Sequence, residues 1–229
     1  VTFLDRYGNE IGKRGVKQSD AVPLEVTGGQ PTVALRTIDH PLAQAILRRF
    51  GGAVAAPSAN RFGRVSPTTA EHVRAGRGGE VDLIVDGGPA RVGVESTIVD
   101  LTGEVATILR AGAIGPTALA AVLGAPVAAR SGDGGVRVPG TLPAHYAPNA
   151  TVVIAKAGAE PFAGPGRIAE LTLPDDPRAA ARTLYASLRA LDAQGYDTIV
   201  VTLPPDTEAN AAVRDRLLRA ASPRPPAEA

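Results

Sequence analysis

The strongest constraint on the fold of this chain is the alternation of two hydrophobic periods beyond residue 150. Thr151-Val152-Val153-Ile154 is a short β-branched run, and Tyr196-Asp197-Thr198-Ile199-Val200-Val201 is a second. Each is followed by a helical pattern. Arg178 to Ala193 sets Ala181, Leu184, Tyr185, Leu188 and Leu191 at helical spacing, and Ala209 to Ala221 predicts another helix. Strand and helix alternating in this order predict a small α/β unit with a partly parallel sheet, because a parallel neighbour needs a long crossover and a helix is its usual form.

Upstream the patterns are shorter. Val1–Leu4 looks like a strand, and a charged, glycine-containing stretch from Arg6 to Lys17 follows it. Thr32-Val33-Ala34-Leu35-Arg36 alternates like a strand. His40 to Phe50 predicts a helix with Leu42, Ala45, Ile46 and Phe50 on one face, stopped by Gly51-Gly52. Strands are expected at Gly52–Ala56 and Val81–Asp86, with a short helix, Ala70 to Ala75, opened by Thr69 between them. Residues 96–101 and 106–110 read as a hairpin around Thr102-Gly103-Glu104, and a helix over Pro116–Leu123 follows. Gly132-Asp133-Gly134-Gly135, with Pro139, Pro143 and Pro148, predicts a linker without regular structure. The proline-rich tail from Ser222 is expected to be disordered.

Two of these strand ends carry small hydrogen-bonding residues, Pro57-Ser58-Ala59-Asn60 and Glu95-Ser96-Thr97. Hydroxyl and amide groups at such ends can reach phosphate or carboxylate oxygens without bulk in the way, which points to a polar, anionic ligand. A Ser-His-Asp triad is not suggested, since His40, His72 and His145 lie on unrelated segments. With 229 residues and 44% hydrophobic content the chain can build one large domain or two small ones. A net charge of +1 gives no electrostatic footprint for nucleic acid, so direct binding to nucleic acid is not expected. The absence of cysteine excludes disulfides and thiolate metal sites. No apolar run approaches the roughly 18 residues of a membrane span, and a soluble cytoplasmic protein is the expectation. There is no methionine either, and Val1 opens on a strand in progress, so the chain is expected to lack its true N-terminus.

A set of ordered blocks resembles the YrdC/Sua5 family of threonylcarbamoyl-AMP synthases, in its longer two-domain Sua5 form. The blocks are Thr32-Val33-Ala34-Leu35-Arg36, Pro57-Ser58-Ala59-Asn60, Ser66-Pro67-Thr68-Thr69, Asp86-Gly87-Gly88-Pro89, Val92-Gly93-Val94-Glu95-Ser96-Thr97-Ile98-Val99-Asp100 and Ile108-Leu109-Arg110-Ala111-Gly112. Two further blocks carry the Sua5 form: Pro139 to Pro148, and Leu184-Tyr185-Ala186-Ser187-Leu188-Arg189. The resemblance implies an α/β fold, with a twisted-sheet YrdC-like domain over residues 1–124, N-terminally incomplete. A linker lying over the site (125–150), a small Sua5-type α/β C-terminal domain (151–221) and a disordered tail (222–229) follow. It also implies a reaction: L-threonine, bicarbonate and ATP, with Mg2+ accompanying the ATP, give threonylcarbamoyl-AMP and pyrophosphate. The product feeds the t6A modification of tRNA, made by a separate transferase.

The site residues follow from the same resemblance. Arg36 would hold threonine, through its carboxylate; by residue type alone it reads equally as a surface arginine at a strand end. Ser96 would also contact threonine, and Ala56 stands where some members carry a threonine-contacting side chain. Thr32, Ser58, Ser66, Arg110 and Tyr146 would contact ATP. Plain alternatives stand beside these: β-propensity for Thr32, a turn for Ser58, a helix cap for Ser66, a surface arginine for Arg110, a linker residue for Tyr146. Asn60 would orient the Ser58 loop. The family's upstream Lys-x-Arg segment for ATP has no counterpart here, since Lys13-Arg14 and Lys17 lack its surroundings. The chain by itself is therefore expected to be weakly active or inactive and to expose a sheet edge and half of its core. The competing class is a YrdC-like module that binds a nucleotide or double-stranded RNA without synthesis. Carbamoyl transfer in hydrogenase maturation would require zinc-finger cysteines, which the chain lacks.

Overall fold

The computed structural model describes residues 2–4, 10–13, 23–130, 136–156, 158 and 160–223, and the side chains from residue 23 onward. In chain order the first elements are β1 (Thr2–Leu4), β2 (Glu10–Lys13), α1 (Leu24–Thr27), α2 (Pro41–Phe50), α3 (Ala70–Arg77), β3 (Ile98–Asp100) and β4 (Ala106–Arg110). Then come α4 (Pro116–Leu123), β5 (Val127–Ala129), β6 (Thr151–Ala155), β7 (Ile168–Leu171), α5 (Pro177–Ala193), β8 (Thr198–Thr202), a 3-10 turn (Glu208–Asn210) and α6 (Ala211–Ala221). The chain divides into two compact units. The first comprises Val1–Pro57, Ile98–Leu109 and Pro116–Val138; the second comprises Ser58–Thr97, Arg110–Gly115 and Pro139–Ala229.

In the first unit β1 pairs antiparallel with β2, and β4 lies between β3 and β5, parallel to β5. Pro41 at the first turn and Gly51 just past the end delimit α2. Its apolar face forms at the predicted spacing, yet Leu42, Ile46 and Phe50 are exposed. Among the residues of this unit whose burial is described, only Thr27 is buried.

The core sits in the second unit. A fully parallel sheet has the order β6-β8-β7. Its central strand β8 is buried from Thr198 to Val201, as a strand covered on both faces should be. Helix α5 starts at a capping Asp176, whose carboxylate accepts from the Ala179 N–H, with Pro177 in the first turn. It contributes Leu184 and Leu188, and α6 contributes Val213 and Leu217, to a core completed by Val152, Leu171, Ile199 and Val201.

Several sequence expectations are corrected. Thr32–Arg36, Gly52–Ala56 and Val81–Asp86 form no strands; Thr32 makes a lone bridge and the rest is irregular. Alternation records how well a segment suits a pleated, half-buried surface, and it becomes a strand only against a neighbour. Leu35, Val54, Leu83 and Val85 are all exposed instead. The stretch expected to lack regular structure carries β5, whose three residues gain a ladder from β4. Strand β7 was not anticipated because Glu170 interrupts it, but the pleat turns Glu170 outward and buries Ala169 and Leu171. Residues 1–31, read as unpatterned after the opening strand, hold β2 and α1. Most of the charged stretch, Gly132–Gly135 and the tail from Arg224 lie outside the described residues.

Candidate active site

The second unit gathers several short segments around one carboxylate, Glu95. Its Oε1 accepts from Ser66 Oγ at 2.6 Å. Its Oε2 accepts from the Tyr185 hydroxyl of α5 and from Arg216 Nε of α6, each at 2.8 Å. Burial pulls the Glu95 carboxyl upward, but the Arg216 charge and the hydrogen bonds from Ser66, Arg216 and Tyr185 outweigh it and hold the group below its ordinary range. Burial and then the Glu95 charge push the Tyr185 phenol well up. Burial opposes the Arg216 charge, while Tyr185, Glu95 and Tyr146 more than restore it, so this guanidinium stays protonated. Arg189 of α5 secures the Ser66 end, donating to the carbonyls of Ser66 at 3.2 Å and Val65 at 2.5 Å.

Two segments next to Glu95 are laced together. Arg110 Nε and Nη2 both donate to the Ser96 carbonyl, at 3.1 and 3.0 Å, and Nη1 donates to the Pro139 carbonyl at 3.0 Å. Burial lowers the Arg110 pKa. Thr97 Oγ1 donates to the Ile114 carbonyl at 2.7 Å and accepts from the Ile114 N–H at 3.2 Å. The backbones approach so closely here that a Cβ on Gly112 would fall on Thr97 N and Ser96 C.

The Pro139–Pro148 segment brings Tyr146, 2% exposed and at φ 61°, a left-handed conformation costly for a tyrosine. Its surroundings hold it there. The ring stacks on Tyr185 at 5.7 Å between centroids, meets the His145 ring edge-to-face with centroids 4.1 Å apart, and lies under the Arg216 guanidinium at 5.1 Å. The Ala147 N–H bonds the Gly63 carbonyl at 2.9 Å. Gly140 takes φ 80° directly against the Tyr146 hydroxyl, where any side chain would collide with it. Burial first, then Glu95, raises the Tyr146 pKa.

The structure therefore brings Ser66, Ser96, Arg110 and Tyr146 together around Glu95. Asn60 is 5% exposed and builds its own loop, donating to the Arg61 and Arg64 carbonyls at 2.9 and 3.1 Å. Ser58 is exposed. In the first unit Thr32 is half-buried, and Arg36 and Ala56 are exposed. Ser66 does not cap α3. Thr69 does, accepting from the His72 N–H. His72 Nδ1 instead accepts from the Thr68 N–H at 3.2 Å, and burial followed by the Arg189 charge lowers its pKa.

Sequence reasoning missed the roles of Glu95, Tyr185, Arg189 and Arg216. Glu95 lay inside a quoted block, but attention fell on Ser96. Tyr185 and Arg189 stand in a Sua5-form block, and Tyr185 on an apolar helix face, with nothing local to give either a polar partner. Arg216 did leave a signal: it shares the α6 face of Val213, Leu217 and Ala220, all buried, and an arginine on such a face calls for a buried carboxylate.

The Sua5_yciO_yrdC family, described as Telomere recombination, matches residues 13–112, and the Threonylcarbamoyl-AMP synthase, C-terminal domain, matches residues 114–222. The chain is 36% identical to a Threonylcarbamoyl-AMP synthase of Bacillus subtilis, over 90% of this chain and 67% of that protein. It is 31% identical to one of Pyrococcus abyssi, over 90% of this chain and 69% of the other. The crystal structure of Pyrococcus abyssi Sua5 complexed with L-threonine superposes with a TM-score of 0.78 at 30% identity, covering 89% of this chain and 68% of that one. A second structure of that protein, with a consecutive histidine and tyrosine both changed to alanine, superposes with the same TM-score at 29% identity, covering 90% of this chain and 67% of that one. Fold and matches together define an α/β enzyme of nucleotidyltransferase type. The chain belongs to the Sua5/YrdC family of threonylcarbamoyl-AMP synthases and spans about two thirds of the length of these relatives.

Proposed function

We propose that this chain takes part in joining L-threonine, bicarbonate and ATP into threonylcarbamoyl-AMP, with release of pyrophosphate. The threonine amine adds to the bicarbonate carbon with loss of water to give the carbamate, and a carbamate oxygen then attacks the α-phosphate of ATP and displaces pyrophosphate. Such a reaction asks the protein for positioning and charge stabilisation rather than a covalent nucleophile. What carries the reading is the convergence of Ser66, Ser96, Arg110 and Tyr146 on the Glu95 cluster in a member of this family. Arg110 brings the positive charge suited to phosphate oxygens and the exposed Ser96 a hydroxyl donor, while Ser66, bonded to Glu95, and the buried Tyr146 hold the segments beside them in place and are assigned to the nucleotide. Ser96 together with Arg36 and Ala56 is assigned to threonine, and Thr32 and Ser58 to the nucleotide. The threonine complex of the Pyrococcus abyssi relative supports threonine as the amino-acid substrate.

Magnesium enters as the MgATP substrate. Glu95 already accepts from three side chains, and among the described residues no group of three or more His, Cys, Asp or Glu is placed to hold an ion. None of the described helices is long and apolar enough to cross a membrane, and we assign the enzyme to the cytoplasm, where it hands its product to a separate t6A transferase. The test is pyrophosphate release by the 229-residue chain, with mass-spectrometric detection of threonylcarbamoyl-AMP. Release that requires both L-threonine and bicarbonate supports the assignment. Nucleotide binding with no such release refutes synthesis by this chain and favours a binding module.

A further inference from the structure

We propose that Arg216, on the last helix of the chain, is a positioning residue that sets the relative placement of Ser96, Arg110 and Tyr146; this rests on the function proposed above.

All three guanidinium nitrogens of Arg216 are engaged. Its side chain is 0% exposed. Nε donates to Glu95, the residue before Ser96, and Nη2 donates at 2.9 Å to the carbonyl of Ala111, the residue after Arg110. Nη1 bonds Asp215, which in turn accepts from Arg219 Nε at 2.9 Å. Arg219 reaches the Leu142 carbonyl at 2.6 Å, and its own carbonyl accepts from the His145 N–H at 3.3 Å. The Arg216 guanidinium carbon lies over the Tyr146 ring, 5.1 Å from its centroid. One planar fork thus joins three segments, each carrying one assigned ligand contact, while Arg216 itself is shut away from solvent. Burying a charge at this cost is a poor way to gain stability alone, since a well-packed apolar replacement is commonly as stable. A rigid fork that places three elements at once is something only arginine provides.

Lysine keeps the charge but, as a compact ammonium, cannot reproduce the fork. The decisive comparison is therefore Arg216→Lys in the full chain, read by calorimetric titration with MgATP and with L-threonine, by KM and kcat for pyrophosphate release, and by thermal melting. The expected result is a folded protein with far-UV circular dichroism like that of the parent. Its kcat/KM should fall on the order of 10- to 100-fold and its binding of both ligands should weaken. Hydrogen exchange should accelerate in 93–97 and 110–114 but not in β8. A folded lysine variant with parental affinities and KM overturns the proposal and leaves the proposed function standing. A parent chain that binds neither ligand overturns both. Should Arg216→Lys fail to fold, Glu95→Gln, which keeps shape and removes the carboxylate charge, is judged by the same affinity and exchange criteria.

Discussion

Replacing Tyr185 by phenylalanine removes one oxygen and nothing else, which makes it a sharp probe of the Glu95 cluster. The Tyr185 side chain is buried at 1% exposure, so water has no ready access to the place the hydroxyl leaves. The ring keeps its stacking partner Tyr146, and Glu95 Oε2 keeps Arg216. What is lost is a 2.8 Å hydrogen bond to an ionised carboxylate, a class worth about 1.5–3 kcal/mol. For a protein of this length that corresponds to a fall in melting temperature of roughly 3–12 °C. The pH dependence follows from the carboxyl. Glu95 titrates below its ordinary range in the folded protein, so its contribution is complete above the unfolded value near about 4.3 and disappears as the pH falls through the folded value. Without the hydroxyl donor the folded value moves up toward the unfolded one. The gap between parent and variant should therefore be full near neutral pH and narrow in acid, below about pH 4. Urea midpoints followed by circular dichroism across that range measure it. A gap of unchanged size from neutral to acid pH would show that the hydroxyl does not act through the carboxylate, and no gap at neutral pH would remove the bond from the account altogether.

Three further outcomes are expected. Leu184→Ala, at a fully buried position on α5, should cost about 2–5 kcal/mol in chemical denaturation. Gly112→Ala should drive its new methyl into the Ser96–Thr97 backbone, costing roughly 1–3 kcal/mol and weakening threonine and ATP binding together in calorimetry. Arg110→Met should lower nucleotide affinity on the order of 10-fold or more while threonine binding changes less, because the charge it removes is assigned to phosphate; equal losses for both ligands would point to the Ser96 carbonyl tie instead.

The parts of the fold that were legible in the sequence are those where a local pattern and its tertiary surroundings agree. Helices α2, α4 and α5 announce themselves by apolar spacing and by Pro and Gly at their ends, and β8 by an unbroken β-branched run that suits a strand covered on both faces. The misreadings have the opposite cause. Thr32–Arg36 and Val81–Asp86 have the composition of strands but no ladder to join, whereas β5 and β7 have weak patterns and gain their partners from β4 and β8. The ordered blocks that point to the family also contain Ser66, Ser96, Arg110 and Tyr146, because hydroxyls and arginines at segment ends carry their chemistry in their type. The cluster that arranges them was hidden for a different reason. Glu95 and Arg216 stand 121 residues apart, so neither acquires meaning from its neighbours in sequence. Glu95 looks like an exposed acid beside a serine, and Arg216 like a misplaced charge on an apolar helix face. Only the parallel sheet of the second unit, with α5 and α6 packed in its core, brings Tyr185 and Arg216 onto one carboxylate and turns two apparent flaws in the pattern into a single satisfied, buried network.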